Sequence, residues 1–244
     1  MSQKYILIVG ASSGIGAATA KALSNSETTI ILMARRVDQL EVVQKTLSGN
    51  SIIAPCDVCD YSQIDLFFQS LREKDIKLSA LIYTAGICYV KTIKMMTPGD
   101  LDEMFRINVF GFYEMCRHFQ SPKISERGAS IIALSSYASI SKETGMSAYA
   151  MTKAALNTAV QVMAKEYIKR EIRVNAILPA RTMSRMGNTM DQWSEEELNA
   201  IKEIQSLGSV PIGEITDTIA FLLSESASHI TGSLIELSGG YKGV

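Results

Sequence analysis

Short runs of apolar, mostly β-branched residues alternate along this chain with longer segments of helical periodicity. There are seven such runs: YILIVG, TTIILMA, SIIAPCD, ALIYTAG, SIIALSS, RVNAILP and SLIEL. Apolar residues at three- and four-residue spacing fill the segments between them, at 14–25, 36–48, 60–74, 99–120, 147–169 and 213–224. Such alternation is typical of βαβ crossovers. It predicts a three-layer, doubly wound α/β (Rossmann) fold with a mainly parallel seven-stranded sheet.

The size of the chain suits one such sheet. With 244 residues, of which 47% are hydrophobic, the chain can bury one sizeable core, and we expect a single domain over residues 1–244. Open α/β sheets bind ligands beyond the carboxyl ends of their strands, so the residues after each apolar run are the candidate functional surface. Only segment 181–210 interrupts the alternation, which predicts an insertion over that surface.

Charge and cysteine usage exclude several classes of protein. The 24 basic and 25 acidic residues are mixed along the chain, so no basic face is expected and nucleic acid is not a predicted partner. No apolar run approaches the roughly 20 residues that cross a bilayer, so no membrane partner is predicted either. Four scattered cysteines and a start without signal-peptide features indicate a reduced, cytoplasmic setting. Because the Cys56–Cys59 pair has no second pair and only His118 and His229 could assist it, no metal site is predicted.

The first apolar run leads directly into a glycine-containing turn. Gly10, Gly14 and Gly16 fall where the strand passes into the first predicted helix. Glycine permits unusual backbone dihedrals there and lets N–H groups and the helix N-terminus approach a diphosphate. An isolated glycine turn would be structural, but this position after a strand and before a helix predicts dinucleotide binding.

The residues after the second and third runs bear on the choice of dinucleotide. An NAD-selective fold usually presents a carboxylate after the second strand, whereas Arg35 and Arg36 stand here. A guanidinium pairs well with a 2′-phosphate, which predicts NADP(H); the alternative is a solvated helix start, especially for Arg36. Asp57 is expected to bind the adenine amino group, or to cap the next helix, and Val58 to pack on the ring.

A tyrosine and a lysine stand four residues apart in the segment SAYAMTKAA. Tyr149 and Lys153 therefore project from one helical face. A nearby ammonium favours phenolate, so we expect the pKa of Tyr149 to fall from its usual value of about 10, making it a proton donor or acceptor. The alternative is a core tyrosine beside a solvated lysine.

Five motifs together resemble the classical short-chain dehydrogenase/reductase (SDR) family. They are GASSGIG, INVFG, LSSYAS, YAMTK and ITGSLIELSGG, and they span nearly the whole chain. The resemblance implies an oxidoreductase that transfers hydride between NADP(H) and a carbonyl or secondary alcohol. It also implies a catalytic tetrad of Asn108, Ser136, Tyr149 and Lys153. In this tetrad Asn108 positions a water and Ser136 holds the substrate oxygen. Tyr149 transfers the proton, and Lys153 binds the nicotinamide ribose.

The resemblance extends the predicted cofactor contacts. They comprise Gly10, Ser12, Ser13, Gly14, Ile15, Gly16, Arg35, Arg36, Asp57, Val58, Ala85, Gly86, Tyr149, Lys153, Pro179, Thr182 and Ser184. Two stretches depart from the family pattern: YTAG replaces a usual Asn-Asn-Ala-Gly, and PARTMS has Ala180 after its proline. We expect Thr84 in the first stretch to form different hydrogen bonds from those of asparagine.

Substrate choice is less constrained. Cys88, Tyr137, Glu143 and the 181–210 insertion are expected to shape the substrate pocket, with four apolar residues forming either a lid or helix core: Met183, Met186, Met190 and Trp193. The chain resembles 3-oxoacyl-carrier-protein reductases, which implies a carrier-bound substrate met by Arg127 and Arg170. Other small-molecule ketones, or a non-catalytic dinucleotide-binding regulatory protein, remain alternatives. The family also implies a homotetramer or homodimer built through the C-terminal ITGSLIELSGG region and the helices near 99–120 and 147–169.

Overall fold

Seven parallel strands form one sheet in the part of the chain that the structure describes. The structure is a computed structural model that describes residues 3–182 and 195–242. Along the chain the strands are β1 (Lys4–Val9), β2 (Thr28–Ala34), β3 (Asn50–Pro55), β4 (Leu78–Tyr83), β5 (Ser125–Leu134), β6 (Arg173–Pro179) and β7 (Leu234–Leu237). Their order across the sheet is β3-β2-β1-β4-β5-β6-β7, with every neighbouring pair parallel. The predicted doubly wound α/β fold is confirmed.

Helices cover both faces of this sheet. They are α1 (Gly14–Leu23), α2 (Val37–Gln44), α3 (Tyr61–Glu73), α4 (Pro98–Phe105), α5 (Gly111–Phe119), α6 (Ala138–Ser141), α7 (Ser147–Glu166), α8 (Glu195–Ile204) and α9 (Ile212–Leu223). The segment 99–120 is more complex than its periodicity predicts, because a π-helical turn, Arg106–Phe110, joins α4 to α5. Among the described helices, none is long and apolar enough to cross a membrane.

Alternate residues of each strand enter two separate cores. Leu7 and Val9 of β1 pack with Phe68 of α3 and the apolar faces of α5 and α7. Ile6 and Ile8 point to the opposite face, where α1, α2 and α9 pack. Burial on both faces explains why the strands appear in the sequence as continuous apolar runs instead of alternating patterns.

The order of the strands reverses next to β1. The chain winds outward from β1 to β3, then returns to β4 on the other side of β1. The two crossovers diverge at this point and leave a crevice beyond the carboxyl ends of β1 and β4, where ligands of this fold class bind. The candidate site residues follow these strand ends.

Candidate active site

A cavity of about 440 Å³ lies at the crevice beyond β1 and β4. Twelve of the predicted cofactor contacts line it: Gly10, Ser12, Ser13, Gly14, Ile15, Gly16, Arg35, Arg36, Asp57, Val58, Ala85 and Gly86. Residues that are distant in sequence thus converge on one concave surface. Its size lies in the range of cavities that hold small ligands and cofactors.

The glycine turn brings the main chain unusually close to the end of β4. Gly10 has a φ of +88°, and a Cβ on Gly16 would lie 2.3 Å from the Gly10 carbonyl oxygen and 2.6 Å from Thr84 Oγ1. Thr84 Oγ1 in turn donates a 2.8 Å hydrogen bond to the Val9 carbonyl. Thr84 therefore braces the turn from β4, and only glycine fits at these two positions. The exposed main chain at the start of α1 suits a diphosphate.

Two arginines follow β2 at the cavity rim. Both Arg35 and Arg36 are exposed, and neither guanidinium has an ion-pair partner within residues 3–182 and 195–242. Arg36 lies at the N-cap position of α2. An unpaired cation at this rim can meet an anionic group without first breaking an internal salt bridge.

The Asp57 carboxylate is used within its own loop. Its Oδ1 accepts a 2.9 Å hydrogen bond from the Cys59 amide. The N-cap of α3 is instead Asp60, which accepts hydrogen bonds from the amides of Ser62 and Gln63, so the suggestion that Asp57 caps this helix is wrong. Val58, beside it, is buried and lines the cavity.

Ser136 and Tyr149 meet beyond the end of β5. A side-chain hydrogen bond joins the two hydroxyl groups, and only 6% of Tyr149 is exposed. The neighbouring Ser135 is turned into the structure, where its Oγ lies 3.3 Å from the Lys153 carbonyl oxygen. Of the two serines, Ser136 is therefore the one that contacts the candidate proton donor.

Lys153 lies one helical turn beyond Tyr149 and is almost fully buried. Its Nζ donates a 2.8 Å hydrogen bond to the Leu134 carbonyl and is 5.6 Å from the centre of the Tyr149 ring. Burial lowers the pKa of Lys153 to about 8. This pKa is close enough to neutral pH for Lys153 to gain or lose its charge within the pH range in which enzymes work.

The pKa of Tyr149 differs from the sequence-based expectation. Burial, followed by the neighbouring Cys88 thiol, raises this pKa, while the hydrogen bond with Ser136 lowers it by a smaller amount. The expectation that the pKa of Tyr149 falls is wrong for the protein alone, because burial removes the phenolate from water and so favours the neutral phenol. Tyr149 therefore holds its proton at neutral pH.

Asn108 lies within the π-helical turn and is completely buried. Its side-chain amide bonds both main-chain groups of Ile87, accepting from the N–H at 2.8 Å and donating to the carbonyl at 2.9 Å. It also donates to Thr152 Oγ1 at 3.0 Å. The side chain thus ties the turn to α7 and to the loop after β4, and its amide is occupied by protein groups.

Among the expected substrate determinants, Cys88 packs beside Tyr149, while Tyr137 and Glu143 both contact Tyr241. Glu143 accepts hydrogen bonds of 2.8 Å from both Arg181 and the Tyr241 hydroxyl. Tyr137 packs against Tyr241, with ring centres 5.1 Å apart. The sequence marks Tyr241 only by its place directly after the final glycines, so it is not among the predicted site residues. Burial raises the pKa of the Cys88 thiol to about 11, so this side chain is uncharged at neutral pH.

The remaining predicted contacts follow β6. Pro179 ends this strand, and its carbonyl oxygen accepts a 2.9 Å hydrogen bond from the Tyr137 amide. Thr182 forms a parallel bridge with Val210. Ser184 and the apolar side chains expected to form a lid, Met183, Met186, Met190 and Trp193, lie outside the described residues.

The two arginines assigned to a carrier lie far from this cavity. Arg127 is near the start of β5 and pairs with Glu171. Arg170 precedes β6 and donates hydrogen bonds to the carbonyl oxygens of Gln120, at 2.6 Å, and Ser125, at 2.7 Å. The cavity lies at the carboxyl ends of the strands, whereas both arginines lie near the amino ends of β5 and β6, on the opposite side of the sheet. Within one chain they do not line the cavity, so their contact with an acidic carrier stays a prediction.

His118 belongs to a charged group between α3 and α5. Its Nε2 is 2.9 Å from Asp65 Oδ1 and 3.2 Å from Glu114 Oε1, and its ring stacks on Phe68. The Arg117 guanidinium lies 2.6 Å from the same oxygen of Glu114. An arginine thus already supplies positive charge to these carboxylates.

Comparison with known proteins gives matches along nearly the whole chain. A family model described as enoyl-(acyl carrier protein) reductase matches residues 10–242. The 3-oxoacyl-(acyl-carrier-protein) reductase of Rickettsia conorii is 30% identical over 241 residues, covering 98% of this chain and 97% of that protein. The L-xylulose reductase of Caenorhabditis elegans is 31% identical over 251 residues, covering 98% and 96%. A short-chain dehydrogenase/reductase structure from Serratia marcescens has a TM-score of 0.88 at 24% identity, covering 98% of both chains.

Proposed function

Because this chain belongs to the short-chain dehydrogenase/reductase family of oxidoreductases, we propose that it transfers hydride between NADP(H) and a carbonyl or secondary alcohol, with Tyr149 as general acid and base. The observation that carries this proposal is the contact of Ser136 with the buried Tyr149, one helical turn from Lys153, whose Nζ bonds the carbonyl of Leu134 in the cavity lining. A nicotinamide cofactor suits this cavity, which measures about 440 Å³ and is lined by the glycine turn at the start of α1 and by Arg35.

Ser136, Tyr149 and Lys153 have different roles in the proposed reduction of a carbonyl. In the direction of reduction, a nicotinamide cofactor held by the residues that line this cavity would supply the hydride that reduces the carbonyl carbon. Ser136 donates a hydrogen bond to the carbonyl oxygen, and Tyr149 gives that oxygen its proton, so the product is an alcohol. The raised pKa of Tyr149 keeps the proton available at neutral pH. The tyrosinate left behind is stabilised by the Lys153 ammonium until it regains a proton from solvent.

Arg35 supports the preference for NADP(H). It is exposed directly after β2, at the rim of the same cavity as Gly14 and Asp57. In this fold class the residue in that place meets the 2′ position of the adenosine ribose. We assign the 2′-phosphate to Arg35, with Arg36 as a secondary contact.

The substrate is proposed to be a small-molecule ketone or secondary alcohol. The relatives act, by name, on 3-oxoacyl groups of a carrier protein and on L-xylulose. A carrier-bound 3-oxoacyl substrate is therefore the leading specific candidate, although Arg127 and Arg170 give it no support within one chain. We further propose that the enzyme is a single domain and works in the cytoplasm, where its four unpaired thiols would stay reduced.

A coenzyme oxidation assay tests this function. NADPH and NADH are compared with a 3-oxoacyl thioester, a keto-sugar and a simple ketone, for the wild type and for Tyr149→Phe. We expect turnover with NADPH that Tyr149→Phe lowers by about 10²–10⁴-fold, because positioned acid catalysis contributes that much. Unchanged turnover in the variant would overturn the role of Tyr149. Cofactor binding without turnover of any substrate would favour a regulatory protein.

A further inference from the structure

Tyr83, the last residue of β4, is the largest side chain among those fully buried in the described part of the chain. Its hydroxyl donates a short hydrogen bond to the main-chain carbonyl of Ile107. The ring packs edge-on against Phe112, with centres 5.5 Å apart. Burial raises the pKa of Tyr83 well above its usual value, so the hydroxyl remains a donor at every working pH.

The carbonyl that Tyr83 bonds lies inside the π-helical turn. Here the Gly111 amide reaches back five residues, to the Arg106 carbonyl, instead of four. π turns are rare and are often found at functional sites. A Cβ on Gly111 would lie 2.7 Å from the Tyr83 hydroxyl oxygen, so the missing side chain lets that hydroxyl reach the turn. Tyr83 and Gly111 are thus fitted to each other.

A short series of hydrogen bonds connects this turn to the candidate proton donor. Asn108, which directly follows Ile107, donates to Thr152 Oγ1 at 3.0 Å. Thr152 Oγ1 donates at 2.7 Å to the carbonyl oxygen of Tyr149. The placement of Asn108 thus affects the main chain that carries Tyr149.

We propose that Tyr83 is a positioning residue for catalysis, holding the π turn and, through Asn108 and Thr152, the place of Tyr149. This inference rests on the proposed oxidoreductase function. Tyr83 is absent from the cavity lining, whereas its neighbours Thr84 and Ala85 are part of it. It acts through the turn and does not touch the cofactor cavity.

The chain contains a matched control for this proposal. Tyr167 is also buried, and its hydroxyl donates a 3.2 Å hydrogen bond to the main-chain carbonyl of Cys116. That carbonyl belongs to α5, the helix that follows the π turn, and therefore lies outside the turn that holds Asn108. Changing either tyrosine to phenylalanine keeps the ring and removes one hydrogen bond to this region.

The experiment compares Tyr83→Phe with Tyr167→Phe in the full chain. We expect Tyr83→Phe to lower kcat for ketone reduction by about tenfold or more, because small displacements of reacting groups are costly. KM for NADPH should change by less than about twofold, and Tyr167→Phe should keep kcat within about twofold. Equal losses of kcat in the two variants would overturn the proposal, since they would reflect general destabilisation.

Hydrogen exchange gives a readout that does not depend on turnover. Amides of residues 106–112 should exchange faster in Tyr83→Phe than in the wild type, while Tyr167→Phe leaves them unchanged. Unchanged exchange at the turn in Tyr83→Phe would overturn the positioning role. If the two variants show this exchange pattern but the wild type reduces no ketone, the proposed function is contradicted and the positioning of the turn is not, so the two failures are distinguishable.

Discussion

Burial changes the acid–base properties of individual side chains in this protein. Lys153 and Tyr149 are spaced for mutual attraction, yet burial moves the pKa of each towards its neutral form, down for the lysine and up for the tyrosine. The site in the protein alone therefore holds a phenol beside an ammonium that loses its proton readily. This arrangement suits proton donation to a carbonyl oxygen and links activity to the charge of Lys153.

The rate of ketone reduction should fall as pH rises through the pKa of Lys153. Below about pH 8 the side chain is an ammonium that stabilises the tyrosinate formed on proton transfer, and above it this charge is lost. We expect kcat/KM with NADPH to decline above about pH 8. In Lys153→Met, residual activity should be lower and should not show this decline. A profile that is flat to pH 10 in the wild type would contradict the assignment.

Arg35→Ala should weaken the use of NADPH much more than that of NADH. Loss of a charge-assisted hydrogen bond worth roughly 1.5–3 kcal/mol corresponds to about a 10–150-fold rise in KM for NADPH. Steady-state kinetics with both coenzymes measures this difference, and Arg36→Ala is the comparison variant. A larger effect in Arg36→Ala would transfer the 2′-phosphate contact to that residue, and equal effects on both coenzymes would refute it.

At the scale of elements, the junction of β1, α1 and β4 is the most constrained part of the cavity. Gly10 and Gly16 contact each other across the turn, and Thr84 from β4 fills the remaining space. Substitution at this junction must displace main chain, whereas a glycine in an open position has room for a side chain. Comparing alanine at a crowded glycine with alanine at an open one therefore distinguishes the cost of a steric collision from the effect of helix propensity.

Gly16→Ala should therefore destabilise the protein and weaken dinucleotide binding, and Gly213→Ala should do neither. The added methyl group at residue 16 meets the Gly10 carbonyl, and we expect a loss of about 1–3 kcal/mol in the free energy of unfolding. Gly213 in α9 has open space around it, so alanine there should be neutral or stabilise by about 0.5–1 kcal/mol. Urea denaturation and NADPH titration measure both. Equal stability of the two variants would contradict the packing argument.

At the scale of the whole molecule, several large apolar side chains remain exposed on neighbouring elements. Phe110 ends the π turn, Tyr113 lies on α5, and Met151 and Val162 lie on α7. These elements are the ones through which the family resemblance implies assembly. Apolar surface of this kind commonly marks contacts between subunits.

Sedimentation should accordingly give a mass of four or two times the 26.7 kDa of one chain. A double variant, Tyr113→Lys with Met151→Lys, should lower this mass because it places two charges in the expected interface. Val42→Lys, an exposed apolar residue on α2, is the matched control and should leave the assembly unchanged. A wild type that sediments as a monomer would refute the expected oligomer.

Local patterns in the sequence determined the alternation of strands and helices, the glycine turn after β1, and the shared face of Tyr149 and Lys153. Each depends on residue types at short spacing, which fix backbone periodicity without reference to distant parts of the chain. The tertiary structure alone decided which way the pKa of Tyr149 moves, how Thr84 braces the turn, and that Tyr83 reaches the π turn beside Asn108. It also placed Arg127 and Arg170 near the amino ends of the strands, opposite the cavity. These features depend on burial and on contacts between residues far apart in sequence, which periodicity does not encode.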